Sequence, residues 1–326
     1  MVESENHFQR PPLSIEILST LNSKLSTHPM LSDEQIEEMM QRVRQLELKA
    51  RRLVRESFSG EYLSSFRGQG LDFDDFREYQ HGDEVRFIDW NVTARMNQPF
   101  VRKFREEREL SVILAIDVSA SGDYGSEFYS KREIAAEAAA VLGFSALHNG
   151  DKVGLLIFAD EPLLFIPPAK GNRHLLRMIR EVLVATPVRP GTSVSAACDF
   201  LVRTLRRKSL VFMLSDFHAD PLDRPLGKLA RKHETITLRV TDPLEARLPK
   251  AGKVVMMDPE TGFETLVNTS NPNLRHGYQK LMKRQEEGVM AIFHKHGIDC
   301  ADLKTNEDTL AALHLLLKRR SRKRVR

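Results

Sequence analysis

Residues 111–122, SVILAIDVSASG, decide the fold of this chain. The stretch opens with a run of apolar residues and has no polar face, which is typical of a strand buried on both sides of a parallel sheet. Asp117, Ser119 and Ser121 follow at a spacing of two residues. Open α/β sheets bind ligands at the carboxyl ends of their strands. The stretch therefore predicts either a site of hard oxygen donors, suited to Mg²⁺, or a serine-rich turn that caps the next helix.

Apolar runs alternating with helical patterns extend this prediction along the chain. The repeated strand–helix units predict an α/β fold with a doubly wound, mostly parallel, Rossmann-like sheet. Ser130 and Glu133 form a capping-box pattern before one of the helices. The predicted strands are residues 151–159, 163–166, 209–214, 235–240 and 298–303, with 163–166 antiparallel to its predecessor, and further helices are predicted at 171–185, 194–206, 273–296 and 308–317.

Two more oxygen-bearing side chains are expected at the same edge of the sheet. Thr192 lies in a loop that enters a helix, and Asp216 ends the apolar strand SLVFMLSD. Because parallel strands deliver their carboxyl ends to one crevice, Asp117 and Asp216 are expected to face each other with the three hydroxyls around them. Five such oxygens with water can complete an octahedral Mg²⁺ shell, and Mn²⁺ or Ca²⁺ are alternatives.

The regions flanking this sheet predict four segments. Residues 1–55 read as a polar tail and a periodic helix from residue 32, and residues 110–318 as the α/β domain with a β-hairpin insertion at 243–272. Residues 56–109 read as a small β subdomain with strands at 85–92 and 99–104. Its mixed charges indicate either a binding surface or internal ion pairs among Asp83, Arg86, Asp89 and Arg95. Residues 319–326 form a basic tail.

Composition restricts the class of protein. The 326 residues are 41% hydrophobic and 29% charged, as in ordinary globular proteins. No apolar run approaches the roughly 20 residues that span a bilayer, and the N-terminus shows no signal pattern, so a cytoplasmic location is expected. Cys198 and Cys300 are far apart and predict neither zinc nor a disulfide. The tail RRSRKRVR holds six basic residues, and without it the chain has 43 basic and 45 acidic residues.

The order Asp-x-Ser-x-Ser, Thr after Gly, then Asp at a strand end resembles the metal-ion-dependent adhesion site of von Willebrand factor type A domains. DVSAS, GTS and LSD match all five positions, at Asp117, Ser119, Ser121, Thr192 and Asp216. The stretches GQGLDFDDFREYQHGDEVRFIDWNVTAR, PFVRKFREERELSVILAIDVSAS and DPLEARLP resemble the bacterial family called domain of unknown function 58, over roughly residues 45–305. That resemblance implies an adaptor or co-chaperone-like partner of a MoxR-type AAA+ ATPase.

Three functional hypotheses follow. The favoured one is a metal-dependent protein-binding module, not an enzyme, in which the cation holds an exposed Asp or Glu of a protein partner; Asp117, Ser119 and Ser121 would be direct ligands, Thr192 a ligand in the engaged state, and Asp216 a ligand through water. The first alternative is a Mg²⁺-dependent phosphoester hydrolase, for which only His218 offers a base near the cluster. The second is binding of nucleic acid or an anionic membrane surface by the basic tail, which lacks aromatic residues for base stacking.

Overall fold

The computed structural model describes residues 33–54, 58–66, 71–96, 98–106, 109–125, 129–187, 189, 191–218, 221–257 and 262–324. The predicted polar tail, residues 1–15, lies outside these ranges. Helix α1 (Asp33–Leu53) confirms the predicted N-terminal helix, and α2 (Ser59–Phe66) follows it. Both helices pack on the main body of the protein, because Val43, Tyr62 and Phe66 are buried in its largest core cluster.

The small β subdomain differs in part from the prediction. Strands β1 (Leu71–Glu78) and β2 (Phe100–Glu106) pair antiparallel, so the second predicted strand is confirmed. Residues 85–92 are not a strand, since a 3₁₀ turn (Val85–Phe87) leads into helix α3 (Trp90–Met96). The physical reason is a helix cap: an Asp89 side-chain oxygen accepts hydrogen bonds from the backbone N–H groups of Asn91 and Val92.

Two of the residues predicted to form ion pairs, Asp83 and Arg86, have other partners. Asp83 binds Arg77 through two hydrogen bonds, and Arg86 pairs with Glu84 rather than with an aspartate. Asp89 serves the helix cap described above. The mixed charges are therefore satisfied largely by neighbours in sequence.

A mostly parallel six-stranded sheet forms the centre of the protein, as predicted. The strands after residue 110 are β3 (Ser111–Asp117), β4 (Lys152–Phe158), β5 (Pro162–Ala169), β6 (Leu210–Ser215), β7 (Glu234–Thr241), β8 (Lys253–Met257), β9 (Glu264–Asn268) and β10 (Asp299–Lys304). The order in the sheet is β10-β7-β6-β3-β4-β5, and only β5, at one edge, runs antiparallel to its neighbour. The predicted insertion is a separate antiparallel hairpin, β8–β9.

Helices cover both faces of the sheet. The helices after residue 130 are α4 (Lys131–His148), α5 (Asn172–Val184), α6 (Val194–Thr204), α7 (Asp223–Lys232), α8 (Pro243–Ala246), α9 (Pro272–Lys295) and α10 (Thr309–Arg324), and all of them except the short α8 contribute to the cores on the two faces. The alternation of side chains along β3 shows the two layers directly, because Leu114 belongs to one core cluster with α1, α2, α4, α5 and α10, while Ile113 belongs to another with α6, α7 and α9. The capping box of Ser130 and Glu133 is present at the start of α4.

The basic residues near the C-terminus differ from the prediction. Helix α10 continues to Arg324, so no separate tail begins at residue 319. Arg320 is buried, pairs with Glu234 and Asp299, and lies over the ring of Phe66. Lys323 also pairs with Asp299, at 2.6 Å. Part of the charge that the sequence suggests for an external partner therefore stabilises the fold itself.

Among the residues that the structure describes, no helix combines the length and apolar character that a membrane crossing requires.

A buried carboxyl group just before the start of β4 predicts that stability depends on pH. Asp151 accepts hydrogen bonds from the Leu110 N–H, at 2.9 Å, and the Tyr62 hydroxyl, at 3.2 Å, and joins α2 to the start of β3 and β4. Burial, aided by the nearby charge of Glu109, raises the pKa of Asp151 to about 6. Because its folded-state pKa exceeds the ordinary value, ionisation costs stability as pH rises through about 6.

We therefore expect Asp151→Asn to raise the free energy of unfolding at pH 7.5 by about 1–3 kcal/mol, since the amide oxygen keeps the bond from Leu110 without a charge. The gain should shrink as pH falls toward 4.5, where Asp151 is protonated in the folded protein. Urea titrations of both proteins across this range measure the difference. The control is Asp199→Asn, a more exposed carboxylate paired with Lys228, which should show no such trend. A gain that is constant with pH contradicts the prediction.

Candidate metal centre

The topology of the sheet brings Asp117 and Asp216 to the same edge. Strands β3 and β6 are parallel neighbours, and Ile116 pairs with Leu214. The residues that follow therefore leave the sheet side by side, as the sequence predicts. Strand β6 extends to Ser215, so Asp216 is the first residue after its end.

Hydrogen bonds connect the predicted site residues into one cluster. Asp117 Oδ1 accepts the backbone N–H of Ser119 at 2.9 Å. The hydroxyl oxygens of Ser119 and Ser121 are 3.2 Å apart, and Ser121 Oγ donates to Asp216 Oδ2 at 3.0 Å. Four of the five predicted residues thus lie in a continuous hydrogen-bonded network.

Ser215 closes this network and is not among the predicted site residues. Its hydroxyl donates to Asp117 Oδ2 at 2.6 Å and accepts the N–H of Phe217 at 3.1 Å. Phe217 has a φ of 57°, which is unusual for a residue other than glycine, and turns the chain sharply after the strand. The sequence signal is the hydroxyl directly before Asp216 in LSD.

Thr192 lies at the same edge. It is in the loop between Gly191 and α6, and its neighbour Ser193 donates a backbone hydrogen bond to the Ala159 carbonyl at 2.7 Å. Ala159 directly follows β4, the other parallel neighbour of β3. Gly191 has a φ of 116°, a conformation that a side chain rarely permits, and this allows the chain to turn just before Thr192.

The two carboxylates have opposite electrostatic environments. Withdrawal from water, with the adjacent charge of Asp216, raises the pKa of Asp117 to about 6, although bonds from Ser215 and Ser119 oppose the rise. Asp216 is also buried, but the Lys131 ammonium and the His218 side chain and N–H outweigh that burial and lower its pKa. Among the described residues Asp117 forms no ion pair. The Asp117 side of the cluster is therefore short of positive charge.

Lys131 and Glu245 are the second feature that sequence reasoning missed. The Lys131 side chain is only 4% exposed, and its Nζ lies 3.0 Å from Asp216 Oδ2 and 2.5 Å from Glu245 Oε1. Lys131 is the first residue of α4, and Glu245 is on α8, which follows β7. No motif in the sequence links the three residues, since they meet only through the fold.

The donor set fits a small, hard divalent cation. Two carboxylates and the hydroxyls of Ser119, Ser121 and Thr192 offer only oxygen, as Mg²⁺, Mn²⁺ and Ca²⁺ prefer. The described residues include no group of three or more His, Cys, Asp or Glu side chains placed to hold a metal. A cation here would thus depend on hydroxyl ligands and two negative charges.

These observations define the class: an α/β protein with a mostly parallel sheet and an oxygen-rich cluster at the carboxyl edge of its central strands. The chain belongs to the DUF58 family, whose model, described as "Protein of unknown function DUF58", matches residues 75–288. The uncharacterized protein Rv1480 of Mycobacterium tuberculosis is 32% identical over 273 residues, which are 82% of this chain and 86% of the relative.

Two solved structures are distant in comparison. A conserved hypothetical protein BatB from Bacteroides thetaiotaomicron has a TM-score of 0.41 at 16% identity, over 65% of this chain and 99% of that one. An aerotolerance-related membrane protein from Bacteroides fragilis has a TM-score of 0.43 at 15% identity, over 66% and 99%.

Proposed function

We propose that this protein is a von Willebrand factor A-like recognition module with a metal-ion-dependent adhesion site. In this proposal Asp117, Ser119 and Ser121 hold Mg²⁺ directly, Thr192 binds in the engaged state, and Asp216 acts through water. Mn²⁺ or Ca²⁺ could take the same place. The cation's remaining position takes an Asp or Glu side chain of a protein partner.

One observation carries the proposal. Asp117 is a partly buried carboxylate next to a second carboxylate and two hydroxyls, with a raised pKa and no ion pair among the described residues. Buried charges are costly unless a counter-charge compensates them. A divalent cation supplies that charge, and the surrounding oxygens are suited to bind it.

Recognition is favoured over hydrolysis by the chemistry of the same oxygens. Serine and threonine hydroxyls are poor general bases, and within the described residues no imidazole is hydrogen-bonded to the cluster. His218, the base that the hydrolase alternative requires, is exposed, and its described bond to the cluster is from its main-chain N–H to Asp216 Oδ1, at 3.1 Å. We therefore propose that the protein is not an enzyme.

The shape beside the cluster also supports a protein partner. A pocket of about 310 Å³ is lined by His218, Glu245, Arg239 and other polar residues, and Glu245 is bonded to Lys131 of the cluster. Such a pocket could accommodate side chains that flank the partner's carboxylate. The family resemblance suggests a MoxR-type AAA+ ATPase as this partner, and a cytoplasmic location goes with that proposal.

Nucleic-acid or membrane binding by the basic C-terminal residues has less support. Arg320 and Lys323 already pair with Asp299. Fewer cations are then available for phosphates, on which such binding depends.

Affinity capture from the native cell tests the proposed function. With Mg²⁺ present, the wild-type chain should retain an AAA+ ATPase that is lost when the metal is chelated, because the carboxylate contact requires the cation. Asp117→Ala should fail to retain it under both conditions. Glu109→Gln, which neutralises an exposed carboxylate at the opposite edge, should behave as wild type. Equal recovery with Asp117→Ala would show that the partner binds elsewhere.

A further inference from the structure

Lys131 is a buried cation placed between two carboxylates with different surroundings. Asp216, at 3.0 Å, is a member of the candidate metal centre, and Glu245, at 2.5 Å, lies outside it on α8. The Asp216 side chain is 9% exposed and that of Glu245 is 23% exposed. The Lys131 ammonium therefore pairs with the metal centre through Asp216 and with helix α8 through Glu245.

Asp216 Oδ2 is the atom at which the Lys131 ammonium and a divalent cation compete. It accepts hydrogen bonds from both Lys131 Nζ and Ser121 Oγ, each at 3.0 Å. A divalent cation that uses the charge of Asp216 must compete with the ammonium, because two cations close together repel each other strongly where water is excluded. Lys131 thus lowers the net negative charge that the centre offers to a metal ion.

Glu245 provides an alternative partner for Lys131, and the fold fixes its position. Its Oε2 accepts the backbone N–H of Asp242 at 3.0 Å in the capping box of α8. Asp242 is in turn buried, and its Oδ2 accepts the Thr305 hydroxyl at 2.6 Å. Glu245 is therefore held where it can retain the ammonium when Asp216 turns to another cation.

We propose that Lys131 is an internal competitor of the divalent cation and that Glu245 counteracts it, so that the position of α8 sets the metal affinity of the centre. This inference rests on the proposed function, since it assumes that the cluster binds a cation. It adds a means of regulation. A partner that displaces α8, or that draws Glu245 away with a basic side chain, returns Lys131 to Asp216 and weakens metal binding.

The test is Mn²⁺ binding to the full chain at pH 7.5, measured by isothermal titration calorimetry, with two substitutions of opposite expected sign. Lys131→Met removes the competitor and keeps an unbranched side chain of similar length, and it should tighten Mn²⁺ binding at least about tenfold. Glu245→Gln leaves the ammonium to Asp216 alone, and it should weaken binding at least about threefold. The amide oxygen that this second substitution introduces can still accept the capping bond from the Asp242 N–H, so the charge changes while the cap remains.

Control substitutions distinguish an effect on Mn²⁺ binding from a general loss of stability. Lys152→Met and Glu109→Gln change an ion pair at the opposite edge of the sheet and should leave Mn²⁺ affinity within about twofold of wild type. Destabilised variants would move affinity in one direction, whereas the inference requires opposite directions. If Lys131→Met fails to fold, Glu245→Gln still decides the sign. If the wild type binds Mn²⁺ and the affinities of both variants are unchanged or shift in the same direction, the inference is wrong and the proposed function stands. If the wild type does not bind Mn²⁺, the proposed function is wrong as well.

Discussion

Asp117→Asn is expected to remove the stabilisation that the proposed Mg²⁺ binding gives the wild-type protein. A ligand that binds only the folded state at one hundred times its dissociation constant adds about 2.7 kcal/mol to the free energy of unfolding. The substitution removes the negative charge that such binding requires, so the gain should fall to nearly zero. Thermal melts with Mg²⁺ and with chelator measure it.

The same substitution should have the opposite effect without metal. At pH 7.5 the wild-type carboxylate is ionised although its pKa is about 6, and Asp216 repels it. An amide lacks this charge and can still accept a bond from Ser119 or Ser215. We therefore expect metal-free Asp117→Asn to melt at the same temperature as metal-free wild type or higher.

The melts with and without Mg²⁺ together distinguish a metal-binding Asp117 from a purely structural one. A purely structural Asp117 would make the variant less stable under both conditions, and that outcome contradicts the proposal. Glu109→Gln serves as the matched control, because it also converts a carboxylate to an amide but lies at the opposite edge of the sheet. It should keep the full Mg²⁺-dependent gain.

Of the substitutions proposed for this protein, Phe212→Ala is expected to lower the free energy of unfolding the most. Phe212 is fully buried in the middle of β6 and pairs with Leu114 and Ile236 on the two neighbouring strands. Its ring also meets Phe66 of α2 edge-on, with centroids 5.7 Å apart. Truncating a buried phenylalanine costs about 3–5 kcal/mol, through lost burial and the cavity that remains.

Urea unfolding at 25 °C, followed by circular dichroism, measures this loss as a lower transition midpoint. Leu266→Ala is a suitable control because Leu266 is 66% exposed on β9, and its truncation should change stability by no more than about 0.5 kcal/mol. A loss below about 1 kcal/mol for Phe212→Ala would contradict the packing of α2 against β6.

The sheet can be predicted because its strands are short apolar runs that need no tertiary information. Residues 111–117 and 210–215 lack a polar face, and the helices between them carry clear start signals such as Ser130 with Glu133. The small β subdomain is harder. Residues 85–92 alternate like a strand, but the cap from Asp89 favours a helix, and such local competition is decided by one side chain.

Only the part of the candidate site that follows from the topology of the sheet can be predicted from the sequence. Parallel strands must bring their ends together, and this rule alone places Asp117 beside Asp216. Lys131 and Glu245 follow no such rule. Lys131 resembles an ordinary first-turn residue, and it pairs with Glu245 of α8, which lies more than one hundred residues later in the chain. The prediction for the basic residues 319–324 is wrong for the same reason, since Arg320 meets Glu234 only in the folded protein.

The contact between α2 and α10 has a consequence for how the chain folds as it is synthesised. Ser65 donates to the Leu317 carbonyl across 252 residues, and His314 binds Glu61. Ribosomes add about 5–20 residues per second, so α2 waits on the order of 10–50 seconds for this partner. Until then the aromatic side chains of α2 lack part of their cover. The nascent chain therefore passes through a period in which an apolar segment near its N-terminus is open to chaperones or to aggregation.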